Sequence, residues 1–196
     1  NGISPNAAVI VATVRALKMH GGVAKADLGA ENIPAVEIGF ANLKTHIENM
    51  KKFGVPVAVA INKFITDTDS EIELVKKLCS ENGCNAVVCE GWEKGGDGAA
   101  DLAHKVVELC DSPCEFKNIY PLDISLKEKI EILAKEIYRA SSVEFEGKAL
   151  KKLKQFEEQG FGSLPICMAK TQNSISHDKS LQGAPKDYVF PIRDVQ

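Results

Sequence analysis

The stretch "VPVAVAINKFITDTDSE", residues 55–71, changes from an apolar run into a cluster of polar side chains. The run lacks the alternation of a half-exposed strand, so it predicts a strand buried on both faces, as in a parallel sheet. Thr68 and Glu71 have the spacing of a capping box, and the neighbouring aspartates favour a helix N-terminus. The stretch therefore predicts a buried strand, a short loop and a helix.

The same order of elements recurs on either side of this stretch. "AAVIVATV" at residues 7–14 and "NAVVCE" at residues 85–90 predict two more strands, and a helical pattern follows each strand. We expect the following side chains to face inward from the three helices: Phe40, Leu43, Ile47 and Met50; Ile72, Val75, Leu78 and Cys79; Leu102, Val106, Leu109 and Cys110. Strands that alternate with helices favour right-handed crossovers. The predicted fold class is α/β, with a parallel sheet and helices on both faces.

The pattern changes after residue 111. Two amphipathic helices are predicted, one containing Leu126 and Ile130 and the other spanning residues 147–159. "LPICMAK" at residues 164–170 predicts a buried strand, and "YVFPI" at residues 188–192 predicts a last strand. We therefore divide the chain into an α/β core, residues 1–111, and a helical appendage with a further strand and a loop tail, residues 112–196. The second part belongs to the same lobe or to an adjoining one.

The composition argues against several classes of function. The 196 residues carry a net charge of −3, and no Lys/Arg block is long enough to suggest a nucleic-acid partner. The six cysteines form no CxxC pair, so reduced thiols in a cytoplasmic protein explain them better than a metal site. No apolar run is long enough to cross a bilayer.

The chain starts without Met and stops within the strand-like "FPIRDVQ", which we interpret as a piece of a larger polypeptide.

Three loops follow the predicted strands: "VRALKMHGG", "NKFITDTDSE" and "GWEKGGDG". They are the candidate ligand sites, because ligands of parallel sheets bind beyond the carboxyl ends of the strands. Asn62 ends the central strand, and its amide offers a donor and an acceptor that can read a purine edge. Helix capping accounts for the threonines and aspartates that follow, but not for Asn62 or Phe64. Phe64 has two interpretations: a hydrophobic staple under the next helix, or a ring that stacks on a ligand.

The third loop carries Trp92, the only tryptophan of the chain, beside several glycines. Gly95, Gly96 and Gly98 allow the backbone to approach a ligand, although an ordinary flexible turn explains them as well. If Phe64 and Trp92 come from neighbouring strand ends, their faces can hold a flat heterocycle between them. A planar bicyclic ligand suits this pair better than a sugar or an acyl chain. No GxxxxGK[ST] motif is present, so the phosphates of a bound nucleotide would need groups from outside this piece.

A resemblance to a known family adds to this interpretation. "VATVRALKMHGG" (residues 11–22), "ENIPAVEIGFANLKTHIENMKKFGVPVAVAINKFITDTDSEIELV", "GWEKGGDGAADLA" and "LPICMAKTQNSISHD" resemble the formate–tetrahydrofolate ligases, also called formyltetrahydrofolate synthetases. The similarity covers essentially the whole chain. It implies an ATP-dependent ligation in which formate is phosphorylated to formyl phosphate. The N10 atom of tetrahydrofolate then attacks the activated carbonyl.

The resemblance also implies partners and roles for particular residues. It implies a P-loop NTPase-like fold, ATP with Mg, tetrahydrofolate as a substrate, a monovalent cation and a homotetramer. Phe64 and Trp92 match the pair that is implicated in sandwiching the pterin. Asn62 is then the candidate for the adenine edge, with Gly95 and Gly96 lining the nucleotide side. The catalytic groups are expected largely outside this segment, and no metal ligand is assigned.

Two questions stay open at this point. Arg15, Lys18 and His20 form a basic trio that suits phosphate or carboxylate handling, but structural hydrogen bonds to the loop explain them equally well. The alternative to an enzyme segment is a non-catalytic fragment that acts only as a folate-binding, nucleotide-binding or assembly module.

Overall fold

The first three strands organise the N-terminal part of the molecule. A computed structural model describes residues 3–196, and the contacts among them separate two compact units, residues 3–117 and 118–196. The first unit contains β1 (Ala8–Ala12), α1 (Val14–His20), α2 (Ile33–Lys52), β2 (Val57–Asn62), α3 (Asp69–Glu81), β3 (Asn85–Cys89), α4 (Gly91–Lys94) and α5 (Ala100–Cys110). The proposed division into 1–111 and 112–196 stays a prediction.

β1, β2 and β3 form a parallel sheet with β2 in the middle. Residues 57–61 of β2 are all buried, and neighbouring side chains of a strand point to opposite faces, so both faces are covered there. β1 differs, because Val9 is 39% exposed and Val11 is 67% exposed. The predicted α/β class and parallel sheet are confirmed, and one face of the sheet is open at β1.

Helix α1 packs closely against α2 through two glycines. A Cβ at Gly21 would lie 2.0 Å from the Ala35 carbonyl oxygen, and a Cβ at Gly39 would lie 1.8 Å from that of Leu17. Any side chain at either position would therefore push the helices apart. The stretch "VRALKMHGG", which we expected to be a loop, is mostly this helix, and Thr13 caps its N-terminus.

The start of α3 agrees with the capping-box prediction. The Thr68 side-chain oxygen accepts from the Glu71 N–H at 3.3 Å, and Glu71 Oε2 accepts from the Thr68 N–H at 3.2 Å. Two N–H groups that the helix cannot satisfy internally thus find acceptors. The loop between Asn62 and Thr68 is held at both ends by β2 and α3.

The second unit combines helices with a small sheet. It contains α6 (Leu126–Glu136), β4 (Ser142–Phe145), α7 (Gly147–Glu158) and β5 (Val189–Ile192). β4 and β5 pair in parallel, with Ser142 opposite Val189. The helices and the last strand agree with their predictions. β4 was not predicted, because its four residues alternate too briefly to stand out from a loop.

The strand predicted at residues 164–170 is wrong. The segment lies extended, and Ile166 and Met168 pack against the core of the second unit while Cys167 and Ala169 are exposed, which is strand-like alternation. Among the described residues, however, no strand runs alongside to form a ladder with it. A pattern of side chains cannot reveal whether a pairing partner is present.

Cys110 does not face inward as expected. It is exposed at the last position of α5, and none of the α5 side chains is fully buried. The apolar spacing identified the helix correctly but overstated how deeply its end is covered.

Candidate functional site

The loops that carry Phe64 and Trp92 start side by side. Asn62 at the end of β2 lies opposite Cys89 at the end of β3, and the Lys63 N–H donates to the Cys89 carbonyl at 3.1 Å. The two chain segments therefore leave the sheet at the same level. Asn62 itself is partly buried at this edge. This is the edge at which parallel α/β sheets bind ligands.

Phe64 sits in a tight turn that closes on itself. Its N–H donates to Asp67 Oδ2 at 2.9 Å, and the Asp67 N–H donates to the Phe64 carbonyl at 2.9 Å. The ring is 40% exposed, so it is not a staple buried beneath α3. The guanidinium carbon of Arg15 lies 5.5 Å from the ring centroid, within cation–π range. Arg15 thereby supports the ring from α1.

Trp92 is far more open to solvent than a tryptophan in a core. It lies in the short helix α4 and is 93% exposed. Within the described residues it has no aromatic or cation–π contact, and the Phe64 ring is not stacked on it. Both rings therefore offer accessible surface from neighbouring loops. That they clamp one ligand from opposite sides stays a prediction.

A chain of charges connects the two loops. The Lys63 ammonium lies 3.9 Å from Asp69 at the start of α3 and 3.8 Å from Glu90, which precedes Trp92. Glu90 also accepts from Lys94 at 2.6 Å. This hydrogen bond holds the pKa of Glu90 below its ordinary value and the pKa of Lys94 above its own. Lys63 is thus a link between the loops.

The glycines after Trp92 differ in what the backbone demands of them. Gly95 has a φ of +59°, a conformation that side chains other than glycine rarely adopt. Gly96 has an ordinary φ of −59° and open space around it. A Cβ at Gly98 would lie 2.5 Å from the Glu90 carbonyl oxygen, which is closer than van der Waals contact allows. Gly95 and Gly98 therefore shape the loop, while Gly96 is unconstrained.

A buried ion pair lies behind these loops. The Lys18 ammonium is 3.0 Å from Glu71 Oε1, and both side chains are 0% exposed. Lys18 also donates to the Ala30 carbonyl at 2.9 Å, and Glu71 accepts from the Asn32 N–H at 2.8 Å. Burial alone raises the pKa of Glu71, but the hydrogen bonds outweigh it and the net pKa lies below the ordinary value. Lys18 therefore has a structural role, which is one of the two interpretations that the sequence analysis left open.

Asp67 is the least satisfied polar group near Phe64. The residue is 7% exposed, and its Oδ1 atom has no hydrogen-bond partner. Burial raises its pKa, which the hydrogen bond from Phe64 and the attraction of Lys18 only partly oppose. A carboxylate in this position is costly, and its evident benefit is to lock the turn that carries Phe64.

His20 ends α1 and is partly buried, and this burial lowers its pKa.

Within the described residues, no group of three or more His, Cys, Asp or Glu side chains could hold a metal ion. No helix of the described part is long and apolar enough to span a membrane.

Comparison with known proteins places the chain in a family. A family model described as formate–tetrahydrofolate ligase matches residues 1–196. The chain belongs to the formate–tetrahydrofolate ligase family.

Curated formate–tetrahydrofolate ligases of three bacteria illustrate the likeness. The chain is 55% identical over 196 residues to the protein of Roseobacter denitrificans, 54% identical over 196 residues to that of Zymomonas mobilis, and 52% identical over 195 residues to that of Staphylococcus aureus strain NCTC 8325. These alignments cover 100%, 99% and 100% of the chain. They cover 35% of each relative, so the chain spans about a third of the length of these ligases.

The tertiary contacts of three residues at the candidate site escaped the sequence analysis. Asp67 looked like a helix-capping acid, Glu71 was explained by the capping box, and Arg15 had no recognisable partner. Lys18 and Glu71 stand 53 positions apart, from 18 to 71, and no local pattern connects them. Only an unusual lysine at an inward-facing helical position could have signalled the pair.

Proposed function

We propose that the chain forms the pterin-binding part of an ATP-dependent formate–tetrahydrofolate ligase. Phe64 and Trp92 stack on the two faces of the pterin. The observation that carries the proposal is their placement: two solvent-accessible rings on loops that leave adjacent, register-matched strand ends. Each stacking contact contributes about 0.5–1.5 kcal/mol beyond burial.

The neighbouring groups take complementary roles in this proposal. Arg15 backs one face of the Phe64 ring, so the other face is left for the ligand. Asn62 meets the edge of the adenine of ATP, and Gly95 and Gly96 line the nucleotide side. Lys63 lies between the two loops and forms ion pairs with Asp69 and Glu90.

The reaction that we propose for the whole protein has two group transfers. A formate oxygen attacks the γ-phosphorus of ATP, giving formyl phosphate and ADP. The N10 nitrogen of tetrahydrofolate then attacks the formyl carbon, phosphate leaves, and N10 loses its proton. Phosphoryl transfer depends on positioning and on cationic groups around the phosphates. Groups outside this chain perform that task, and this chain orients the pterin.

Further features of the whole protein are proposed on the family likeness alone. They are a P-loop NTPase-like fold, a homotetrameric assembly, a requirement for Mg and for a monovalent cation, and a cytoplasmic location.

The experiment that tests the stacking pair uses Trp92 as its own reporter. We expect folic acid to quench its emission saturably, with the affinity confirmed by calorimetry to exclude absorption artefacts. Phe64→Ala should weaken binding roughly threefold to tenfold, the equivalent of one lost stacking contact. Phe116→Leu is the matched control, because Phe116 stacks on Phe53 instead and should leave affinity unchanged. Equal affinities for the Phe64→Ala chain and the unaltered chain would overturn the proposal.

A further inference from the structure

The Phe64 ring carries a cation on one of its faces. The guanidinium carbon of Arg15 lies over the ring, 5.5 Å from its centroid. Phe64 has no contact with another ring or cation of the described residues, and it is 40% exposed. The ring therefore has a positive charge against one face and still offers accessible surface to a ligand.

The charge of Arg15 is not neutralised by a close partner. Within the described part of the chain, its guanidinium forms no hydrogen bond and no ion pair. Burial raises the pKa of Asp67, and the attraction of Arg15 from a longer distance opposes this rise. Arg15 is also partly buried, so water screens its charge less than that of a fully exposed side chain. Its field therefore acts on the ring beside it.

Separate contacts hold the cation and the ring in place relative to each other. Lys18 follows Arg15 by about one turn of α1, and its ammonium pairs with Glu71 of α3 at 3.0 Å, with both side chains 0% exposed. This buried pair ties α1 to the start of α3. Phe64 and Asp67 exchange two hydrogen bonds of 2.9 Å in the turn that leads into α3. The backbones that carry the cation and the ring are thus positioned before a ligand binds.

A cation on one face of a ring changes the electrostatics of the opposite face. An aromatic ring is electron-rich on its faces and electron-poor at its edge. The cation draws π-electron density towards itself, so the opposite face becomes less negative. Such a face stacks better on an electron-rich ring than on an electron-poor one.

The oxidation state of a pterin decides which of these two kinds of ring it presents. Reduction replaces the conjugated pyrazine ring by amino donors, which enrich the remaining pyrimidine ring in electrons. An oxidised pterin keeps both conjugated rings and is electron-poor. The face of Phe64 that lies opposite Arg15 therefore suits the reduced form.

We propose that Arg15 is a specificity-determining residue, which acts through the Phe64 ring to favour reduced over oxidised pterins. This preference rests on the proposed function, because the ring must stack on the pterin for the cation behind it to have an effect. Arg15 needs no contact with the ligand in this role. Its charge sets the electrostatics of the stacking face, while the two hydrogen bonds between Phe64 and Asp67 hold the turn that presents the ring.

Calorimetry with two ligands tests the proposal on the 196-residue chain. Folic acid is the oxidised ligand and tetrahydrofolate is the reduced one, and both carry the same p-aminobenzoylglutamate tail. Both affinities are measured without oxygen, and their ratio is compared between variants. Arg15→Met should reduce the preference for tetrahydrofolate about threefold, the equivalent of one partly exposed cation–π contact. Arg15→Lys keeps a positive charge and should retain more of the preference than Arg15→Met does.

A double-mutant cycle tests whether Arg15 acts through the ring. In a chain that carries Phe64→Ala, adding Arg15→Met should leave the ratio of the two affinities unchanged. Lys77→Met is the matched control, because it also removes one positive charge but from a side chain that is 70% exposed near the end of α3. This control should leave the ratio of the unaltered chain unchanged. Circular dichroism confirms that each variant is folded.

Two results would each overturn the proposal while leaving the pterin site intact. The first is an unaltered ratio in Arg15→Met, whether the two affinities fall equally or not at all, because Arg15 then does not distinguish the ligands. The second is a change of the ratio that persists in the Phe64→Ala chain, since Arg15 then acts on the pterin directly. If neither ligand binds, or if Phe64→Ala leaves both affinities unchanged, the proposed function itself fails, and the role of Arg15 fails with it.

Discussion

Replacing Lys18 by Met separates the contribution of the buried ion pair from that of ordinary packing. Methionine fills a similar volume and prefers a helix about as well as lysine does. What changes is the charge: Glu71 keeps its hydrogen bonds from Asn32 and Thr68 but loses the ammonium 3.0 Å away. The Ala30 carbonyl loses its donor as well.

The expected loss of stability follows from the burial of both partners. Removing one member of a buried pair costs about 3–5 kcal/mol, because an uncompensated charge is left in a poorly solvated place. A domain of this kind has a free energy of unfolding of roughly 5–15 kcal/mol, so the loss is a large share of the total. Lys18→Met combined with Glu71→Gln should lose less than Lys18→Met alone, since the stranded charge is gone.

The matched control is Lys76→Met on the surface of α3. Lys76 and Glu73 form an exposed pair at 2.7 Å, and such pairs contribute about 0–1 kcal/mol. We would measure urea unfolding by circular dichroism and, for the first unit alone, by pulsed alkylation of the buried Cys79 thiol. If Lys18→Met costs no more than Lys76→Met, the reasoning about the buried pair is wrong.

The pH dependence gives an independent check on the same pair. The pKa of Glu71 is lowered in the folded protein, so its contribution is complete above the ordinary pKa and is lost as the pH falls through the folded value. The difference in stability between the unaltered chain and Lys18→Met should therefore be largest near neutral pH and shrink below about pH 4. A difference that grows on acidification would contradict this assignment.

Three other outcomes are expected. Asp67→Asn should stabilise the protein at pH 7, because burial of the Asp67 carboxylate raises its pKa and makes the charged form unfavourable. The stabilisation should disappear as the pH falls towards about 4, since protonation of Asp67 then removes the same buried charge. Unfolding curves measured across this pH range test both expectations. Gly98→Ala should destabilise by about 1–3 kcal/mol, because its Cβ would meet the Glu90 carbonyl oxygen at 2.5 Å; urea titration measures this. The exposed Cys110 thiol should be alkylated rapidly under native conditions. Cys79 should react only after unfolding, because it is buried and burial raises its pKa to about 12. Mass spectrometry distinguishes the two thiols.

Much of the fold could be predicted from local patterns. The apolar run before Asn62 specified a doubly buried strand, and the spacing of Thr68 and Glu71 specified the start of α3, because both signals lie within a few residues. The strand at residues 164–170 could not be judged in this way. Its alternation is real, but a strand also needs a neighbouring backbone, and the sequence of the segment carries no information about one.

The same distinction between local and long-range contacts applies to the candidate site. Phe64 and Trp92 could be selected from sequence, since aromatic residues in polar loops after strands are unusual in both size and setting. The residues that contact and position these two loops could not be identified from the sequence. Arg15 over the Phe64 ring, Asp67 beneath the turn and Lys63 between the loops all depend on how separate elements meet.

The sequence by itself determined the order of strands and helices in the first unit, the family of the chain and the two exposed rings. Periodicity, capping and family motifs depend on residues that are close together in the sequence, so they can be recognised without the tertiary structure. Tertiary structure alone decided that Lys18 is buried against Glu71, that Asp67 keeps an unpaired oxygen, and that Cys110 is exposed. The reason is physical: burial and ion pairing depend on which distant segments exclude water from a side chain, and the chain must fold before that is settled.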